Sequence, residues 1–410
     1  MSSEETHVIV GASLAGAKAA ETLRAEGFDG RVVLIGAESE RPYERPPLTK
    51  GFLLGREPAE KAYVHEESWY GQHGVELRLG VTATGIDRSA REVRLAAGDP
   101  VRYDRLLLTT GASPRRFEAP GADLEGVRYI RTLQDSAGLR EALSAGGRRV
   151  VVVGAGWIGL EAAAAAREYG NEVVIIEPET TPLSRSLGPE LGEVFASLHR
   201  RHGVEFRLGD GVAELRGTGE SVSAVLTTTG AELSADVVVV GVGVRPNTGL
   251  AVGAGLEVDD GIVVDAALRT SDPYIYAAGD VASHYHPLFG RHLRVEHWAN
   301  ALNGGAAAAR SMLGQDVGYD RVPFFFTDQY ELGMEFSGLV VPGEYDEVVY
   351  RGDTEALEFI AFWLSEGRVV AGMNVNIWDV TPDVQALIRS GKPIDRDRLS
   401  DPGVPLTDLL

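Results

Sequence analysis

Val150-Val151-Val152-Val153-Gly154-Ala155-Gly156-Trp157-Ile158-Gly159-Leu160-Glu161 reads as an apolar strand, a turn with three glycines and the start of a helix. In a dinucleotide-binding turn the first glycine makes the tight bend, the second admits the pyrophosphate and the third lets the helix pack on the strand. The helix is predicted over Leu160–Tyr169, and a second apolar run, Val173 to Ile176, ends at Glu177, twenty-three residues after Gly154. A carboxylate there accepts from both ribose hydroxyls and repels a 2′-phosphate, so the coenzyme is read as NADH rather than NADPH. Arg185 stands downstream, where a cation could reach a phosphate and weaken that preference. Gly154, Gly156, Trp157, Ile158, Gly159, Glu177 and Arg185 are the candidate NAD residues.

The same pattern occurs earlier. Val8-Ile9-Val10 leads into Gly11-Ala12-Ser13-Leu14-Ala15-Gly16, an Ala-rich helix and a second strand, Val32 to Ile35. Ser13 replaces the middle glycine, so this turn alone is compatible with an ordinary strand–helix connection as well. Two copies of one nucleotide-binding unit, at 6–38 and 148–177, make an internal repeat and fix the class as α/β, with two Rossmann-like domains. Two dinucleotides in one chain imply hydride transfer between them. Val237 to Val240 adds a further buried parallel strand.

Between the copies, Glu76 to Asp104 alternates as a meander of antiparallel strands would, and Gly111-Ala112-Ser113-Pro114 looks like a domain crossing. Beyond Pro323 the period changes. Val348–Arg351, Leu357–Leu364 and Arg368–Asn374 suggest an antiparallel sheet, closed by a helix near Val384–Ser390, which makes a third, α+β domain. Thr270-Ser271-Asp272-Pro273-Tyr274-Ile275-Tyr276-Ala277-Ala278-Gly279-Asp280 is a turn, a short strand and Gly-Asp before an expected helix start. His199 and His202, three apart on a helix, are expected on a solvated face, and His284 and His286 in a loop. None of them has the partners of a metal site.

Composition bounds the rest. The 410 residues carry 39 basic and 60 acidic side chains, a formal net charge of −21, which argues against nucleic acid and anionic membranes as partners. Cys is absent, so disulfides, thiolate metal sites, protein-ligated iron–sulfur clusters and a redox dithiol are all excluded. Met1-Ser2-Ser3-Glu4-Glu5-Thr6 has no secretory pattern and no long apolar run follows, so a cytoplasmic protein is expected.

Several stretches together resemble the bacterial FAD-dependent ferredoxin reductases of the putidaredoxin reductase and dioxygenase-reductase type, in the glutathione-reductase-like flavoprotein superfamily. They are Pro42-Tyr43-Glu44-Arg45-Pro46-Pro47-Leu48-Thr49-Lys50, Gly159-Leu160-Glu161, Gly243-Val244-Arg245-Pro246-Asn247, the Gly279-Asp280 motif, Glu296-His297-Trp298-Ala299-Asn300-Ala301 and Asp328-Gln329-Tyr330. The resemblance implies an FAD domain at 1–112 and 245–321, an NADH domain at 113–244 and a C-terminal interface domain at 322–410. It makes Gly11 and Ser13 FAD residues, puts the FAD pyrophosphate against Leu14, Ala15 and Gly16, and places the adenosine end near Ala37 and Glu38. Arg45, Lys50, Ala83, Arg131, Asp280, Glu296, His297 and Trp298 match further FAD positions, and Gly243 falls on the NAD side. Lys50 is implied near the flavin, ion-paired with Glu161, and a helix from Ala299 to Met312 is expected to point at its pyrimidine edge.

The implied activity is NADH:ferredoxin oxidoreduction, feeding a [2Fe–2S] ferredoxin that serves a cytochrome P450 or Rieske oxygenase, by a monomer or weak homodimer. With no thiol of its own, the chain must pass electrons directly to an external acceptor. A reductase of small acceptors such as quinones or oxygen, and a non-catalytic NADH-sensing flavoprotein, are the alternatives. Arg291, Arg294 and Arg310 are the candidate basic patch for the acidic partner. Phe324-Phe325-Phe326 departs from the tryptophan-containing family segment.

Overall fold

A computed structural model describes residues 5–410, in two compact units. The first comprises residues through 44, 60–113 and 244–323; the second comprises 45–59, 114–243 and 324–410. Residues 45–59, placed with the FAD domain on sequence grounds, pack in the second unit, and so do the NAD-type and C-terminal segments.

The core of the first unit is an all-parallel five-stranded sheet. Its order is Ile275–Ala277, Arg105–Leu108, Thr6–Val10, Arg31–Ile35 and Val75–Arg78. The Val, Ile and Leu runs are buried on both faces, as parallel strands require. Helices Leu14–Ala25 and Trp298–Met312 pack together beside it, closely enough that a Cβ on Gly305 would lie 2.2 Å from Ala15 O. A separate antiparallel meander joins Ala83–Asp87, Glu92–Leu95 and Val101–Arg102.

Three readings change here. Val75–Arg78 is not part of the meander but the edge strand of the parallel sheet, because Val75 and Leu77 pack into the main core. Asp280 lies within a single 3-10 turn, Gly279–Val281, which is followed by the strand Ala282–His286 rather than a helix. His284 and His286 are therefore not in a loop. Both are buried on that strand, near the rings of Tyr319 and Phe289, where ring packing outweighs their polarity.

The second unit repeats the parallel arrangement in the order Val204–Leu208, Glu172–Glu177, Arg149–Val153, Val237–Val240 and Val127–Arg128. The helix after the glycine turn starts at Trp157 and ends at Glu168. The same unit holds a five-stranded antiparallel sheet, ordered Phe324–Gln329, Leu332–Gly338, Arg368–Val375, Glu358–Ser365 and Glu347–Asp353. Helix Thr381–Ser390 covers it, with Pro382 in its first turn. Among the described residues no helix is long and apolar enough to cross a membrane.

Candidate functional site

The turn at 154–159 has the geometry that its glycines dictate. Gly154 has φ +99°, and a Cβ on it would lie 2.5 Å from Gly241 O; one on Gly159 would lie 2.1 Å from Gly154 O. A Cβ on Gly156 would meet nothing within 4 Å, so that position faces open space where a pyrophosphate can approach. Gly156 is also the N-cap, and without a side chain it leaves the first-turn amides and the positive end of the helix to an anion.

Glu177 closes the adjacent strand and turns back on this loop. Its Oε2 accepts from the Ala155 N–H at 2.7 Å and its Oε1 from the Glu179 N–H at 3.0 Å. Arg185 is 2.8 Å from Glu179, with its side chain 84% exposed. Its charge is matched by a carboxylate of its own. Trp157 packs edge-on against Phe195 and Phe325, Ile158 is exposed at the helix start, and Gly243 accepts from the Arg115 N–H at 2.9 Å.

The first unit holds the other turn. Gly11 has φ +121°, with Thr109 O 2.1 Å from where its Cβ would be, and a Cβ on Gly16 would lie 2.1 Å from Gly11 O. Ser13 is the N-cap of the following helix, yet its hydroxyl caps nothing; its acceptor is Tyr43 O at 3.5 Å. The amides of Leu14, Ala15 and Gly16 thus open the helix without a side-chain cap, the donor set that a pyrophosphate needs. Ala37 and Glu38 follow the second strand, where Glu38 accepts from the Tyr43 hydroxyl at 2.5 Å. Ala83 begins the meander.

Asp280 lies in the 3-10 turn, close enough for its charge to act on His297. Burial lowers the His297 imidazole to about 4, against that opposing pull. Trp298 begins the long Ala-rich helix. The residues of this unit fit a bound FAD in donor chemistry and in the two crowded glycines.

Two of the three arginines of the candidate basic patch are already paired with acids. Arg294 pairs with Glu296 and with Asp260 at 3.2 Å, and Arg310 pairs with Glu26 at 2.9 Å. The acidic surface thus supplies Arg294 and Arg310 with carboxylates before any partner arrives.

Arg45, Lys50 and Arg131 lie in the second unit, where the Arg45 guanidinium donates to Arg131 O. Lys50, just past the 3-10 turn Pro46–Thr49, has its Nζ 2.7 Å from Glu161 Oε1. Glu161 sits one turn into the helix that the NAD-type turn opens, and only 5% of it is exposed. Two hydroxyls complete its shell: Thr327 donates to Oε1 at 2.5 Å, and Thr49 donates to Oε2. A buried carboxylate with an ammonium and two hydroxyl donors is satisfied as an anion. Lys50 also stands 5.5 Å from the centre of the Phe326 ring. Desolvation holds Asp328 above the usual carboxylate range, Lys50 opposing and Glu161 adding to the rise.

Thr49 and Thr327 were not legible as site residues. Thr49 adjoins Lys50, and Thr327 stands two residues before Gln329 on the same face of its strand. That two-residue spacing was the available signal. His199 is not on a solvated face: it is fully buried, with Nε2 2.8 Å from Gln329 Oε1. His202 stacks on Tyr330 at 3.7 Å and pairs with Glu331. The Gln329–Glu331 turn covers the helix face that the spacing would otherwise leave to water.

Residues 5–305 match the pyridine nucleotide-disulphide oxidoreductase family, and 324–410 match the reductase C-terminal family. Among curated proteins, the ferredoxin–NAD(+) reductase component of the anthranilate 1,2-dioxygenase system of Burkholderia cepacia is 41% identical over the whole of both chains. Putidaredoxin reductase of Pseudomonas putida is 36% identical, covering 100% of this chain and 98% of its own. The reductase in the crystal structure of the covalent putidaredoxin reductase–putidaredoxin complex superposes with a TM-score of 0.94 at 35% identity, covering 99% of this chain and 98% of that one. With both nucleotide turns, no cysteine and these matches along its length, the chain belongs to the pyridine nucleotide-disulphide oxidoreductase family.

Proposed function

We propose that the chain is an FAD-dependent NADH:ferredoxin reductase that delivers electrons to a [2Fe–2S] ferredoxin serving a Rieske dioxygenase or cytochrome P450. The observation that carries this reading is the position of Glu161, on the very helix that opens at the NAD-type turn and 2.7 Å from Lys50. The reductases it resembles belong by name to a dioxygenase system and to putidaredoxin. FAD, when bound, accepts a hydride from NADH and can release the two electrons singly.

The residues then divide the work. Gly154, Gly156 and Gly159 admit the NADH pyrophosphate, with Trp157, Ile158 and Gly243 shaping the surround. Glu177 leaves its backbone donors for the ribose hydroxyls, and Arg185 stays with Glu179. Gly11, Ser13, Leu14, Ala15 and Gly16 receive the FAD pyrophosphate, Ala37, Glu38 and Ala83 its adenosine end, and Asp280 its ribityl chain. Arg45, Arg131, Glu296, His297 and Trp298 complete the FAD contacts. Lys50, fixed by Glu161, offers a positive charge where negative charge develops.

No thiol stands between the flavin and the acceptor, so electrons leave the protein directly. The protein is read as cytoplasmic, and as a monomer or weak homodimer. An anaerobic two-step experiment tests this: stoichiometric NADH should bleach the flavin, and oxidised [2Fe–2S] ferredoxin should restore its colour. Restoration by quinone or oxygen but not by ferredoxin would favour a reductase of small acceptors. A long-lived charge-transfer complex that no acceptor discharges would favour an NADH-sensing protein.

A further inference from the structure

A line of buried polar groups runs away from Lys50 and ends at His199. Glu161, Thr327, Gln329 and His199 are all buried, and come from two helices and one strand of the second unit. Thr327 has one hydroxyl proton, which it gives to Glu161 Oε1. Its oxygen must therefore accept, and Gln329 Nε2 donates to it at 3.2 Å. That orientation turns Gln329 Oε1, which can only accept, towards His199, whose Nε2 is then the protonated nitrogen and lies 2.8 Å away. The opposite amide orientation would draw the Thr327 proton away from a buried carboxylate, which is the costlier arrangement. Every donor in the line points towards Glu161.

We propose that Gln329 and His199 are positioning residues that act on Lys50 through Thr327 and Glu161. They hold the carboxylate in the one orientation that pairs with the ammonium. Cooperative hydrogen bonds polarise one another in a low-dielectric interior, so the far end of the line affects the near end. Tyr330 secures that far end: at φ +55° it ends the strand, stacks on His202 and meets the His199 ring edge-on. Burial lowers His199 to about 4, with the Gln329 hydrogen bond opposing and His202 adding, so the ring stays a neutral Nε2–H donor at neutral pH. The inference rests on the assignment of Lys50 and Glu161 to the hydride-transfer site.

The test exploits the scarcity of lysine. Holoenzyme labelled with 15N-lysine gives four side-chain signals, from Lys18, Lys50, Lys61 and Lys392, and Lys50→Arg assigns the one that matters. Exchange of the Lys50 Nζ protons with water should quicken by about tenfold in Thr327→Val, roughly fivefold in Gln329→Met and roughly twofold in His199→Leu. Packing damage would rank the variants the other way, since Thr327→Val removes almost no volume. NADH-driven flavin bleaching should slow in the same order as exchange quickens.

Should Gln329→Met not fold, Gln329→Glu serves instead. It accepts from His199 but cannot donate to Thr327, and it should also quicken exchange. Wild-type Lys50 exchange in folded Gln329 and His199 variants would overturn the proposal. That result is separate from failure of the Lys50 assignment itself, which would show as normal bleaching in Lys50→Ala whatever the exchange rates.

Discussion

Lys50 and Glu161 are 111 residues apart in sequence and 2.7 Å apart in space. Lys50→Ala leaves a buried carboxylate held by two hydroxyls alone. Flavin reduction by NADH should slow on the order of tenfold or more, the scale of one lost electrostatic stabiliser. FAD content should stay near one per chain, because the contacts proposed for it are spread over residues 11–16, Ala37, Glu38, Ala83 and Asp280. Stopped-flow bleaching and the visible spectrum check the two halves. The uncompensated Glu161 should also cost roughly 1–3 kcal/mol of stability, read from denaturant unfolding.

On the proposed function, Glu177 and the Arg185–Glu179 pair should set the coenzyme preference. At an effective dielectric of ~20, a 2′-phosphate charge ~4 Å from Glu177 is repelled by roughly 4 kcal/mol before screening. Even a third of that is about tenfold in affinity. The kcat/KM ratio of NADH to NADPH should exceed that, and Glu177→Ala should narrow it. Equal efficiencies in the wild type would mean that Arg185 leaves Glu179 for the phosphate.

Two glycines of the NAD-type turn, Gly156 and Gly159, should separate by variant. Gly156→Ala meets open space, so the protein should keep its melting temperature and lose NADH affinity by tenfold or so, as a methyl group enters the pyrophosphate approach. Gly159→Ala would set its Cβ 2.1 Å from Gly154 O and should lower stability instead. Calorimetry of NADH binding and thermal melts distinguish the two losses.

Acid should destabilise the protein through its buried imidazoles. Burial lowers His284 to about 4, with His286 and His292 adding to the fall and the Leu293 backbone opposing it. The unfolded chain titrates near ~6.5, so it binds the proton more readily, and stability is lost as pH falls from there towards 4. His284 alone accounts for roughly 2 kcal/mol by pH 5. His284→Phe should flatten the change in unfolding free energy between pH 7 and 5 by about that amount. An unaltered pH dependence would place the titration elsewhere.

Glycine turns and Val/Ile strands were legible because backbone geometry and burial on both faces leave few residue choices. The run 150–161 shows both constraints at once. What could not be read was the environment supplied by distant segments. The spacing of His199 and His202 says which helix face they share, but not that Gln329 and Tyr330 cover it. Thr49 and Thr327 are ordinary hydroxyls until Glu161 lies between them. Val75–Arg78 alternates like a meander strand, and only its partner, Arg31–Ile35, makes it parallel. Arg294 and Arg310 looked available because a sequence does not show that Glu296, Asp260 and Glu26 reach them first.

The most direct test of the function is a comparison of acceptors under one set of conditions. With NADH saturating, kcat/KM is measured for a [2Fe–2S] ferredoxin, for a short-chain quinone and for oxygen, using FAD-loaded protein. Ferredoxin should be the best acceptor by a factor of ten or more, with oxygen consumed only slowly. Quinone or oxygen turnover that matches or exceeds ferredoxin turnover would show that the chain is a reductase of small acceptors instead.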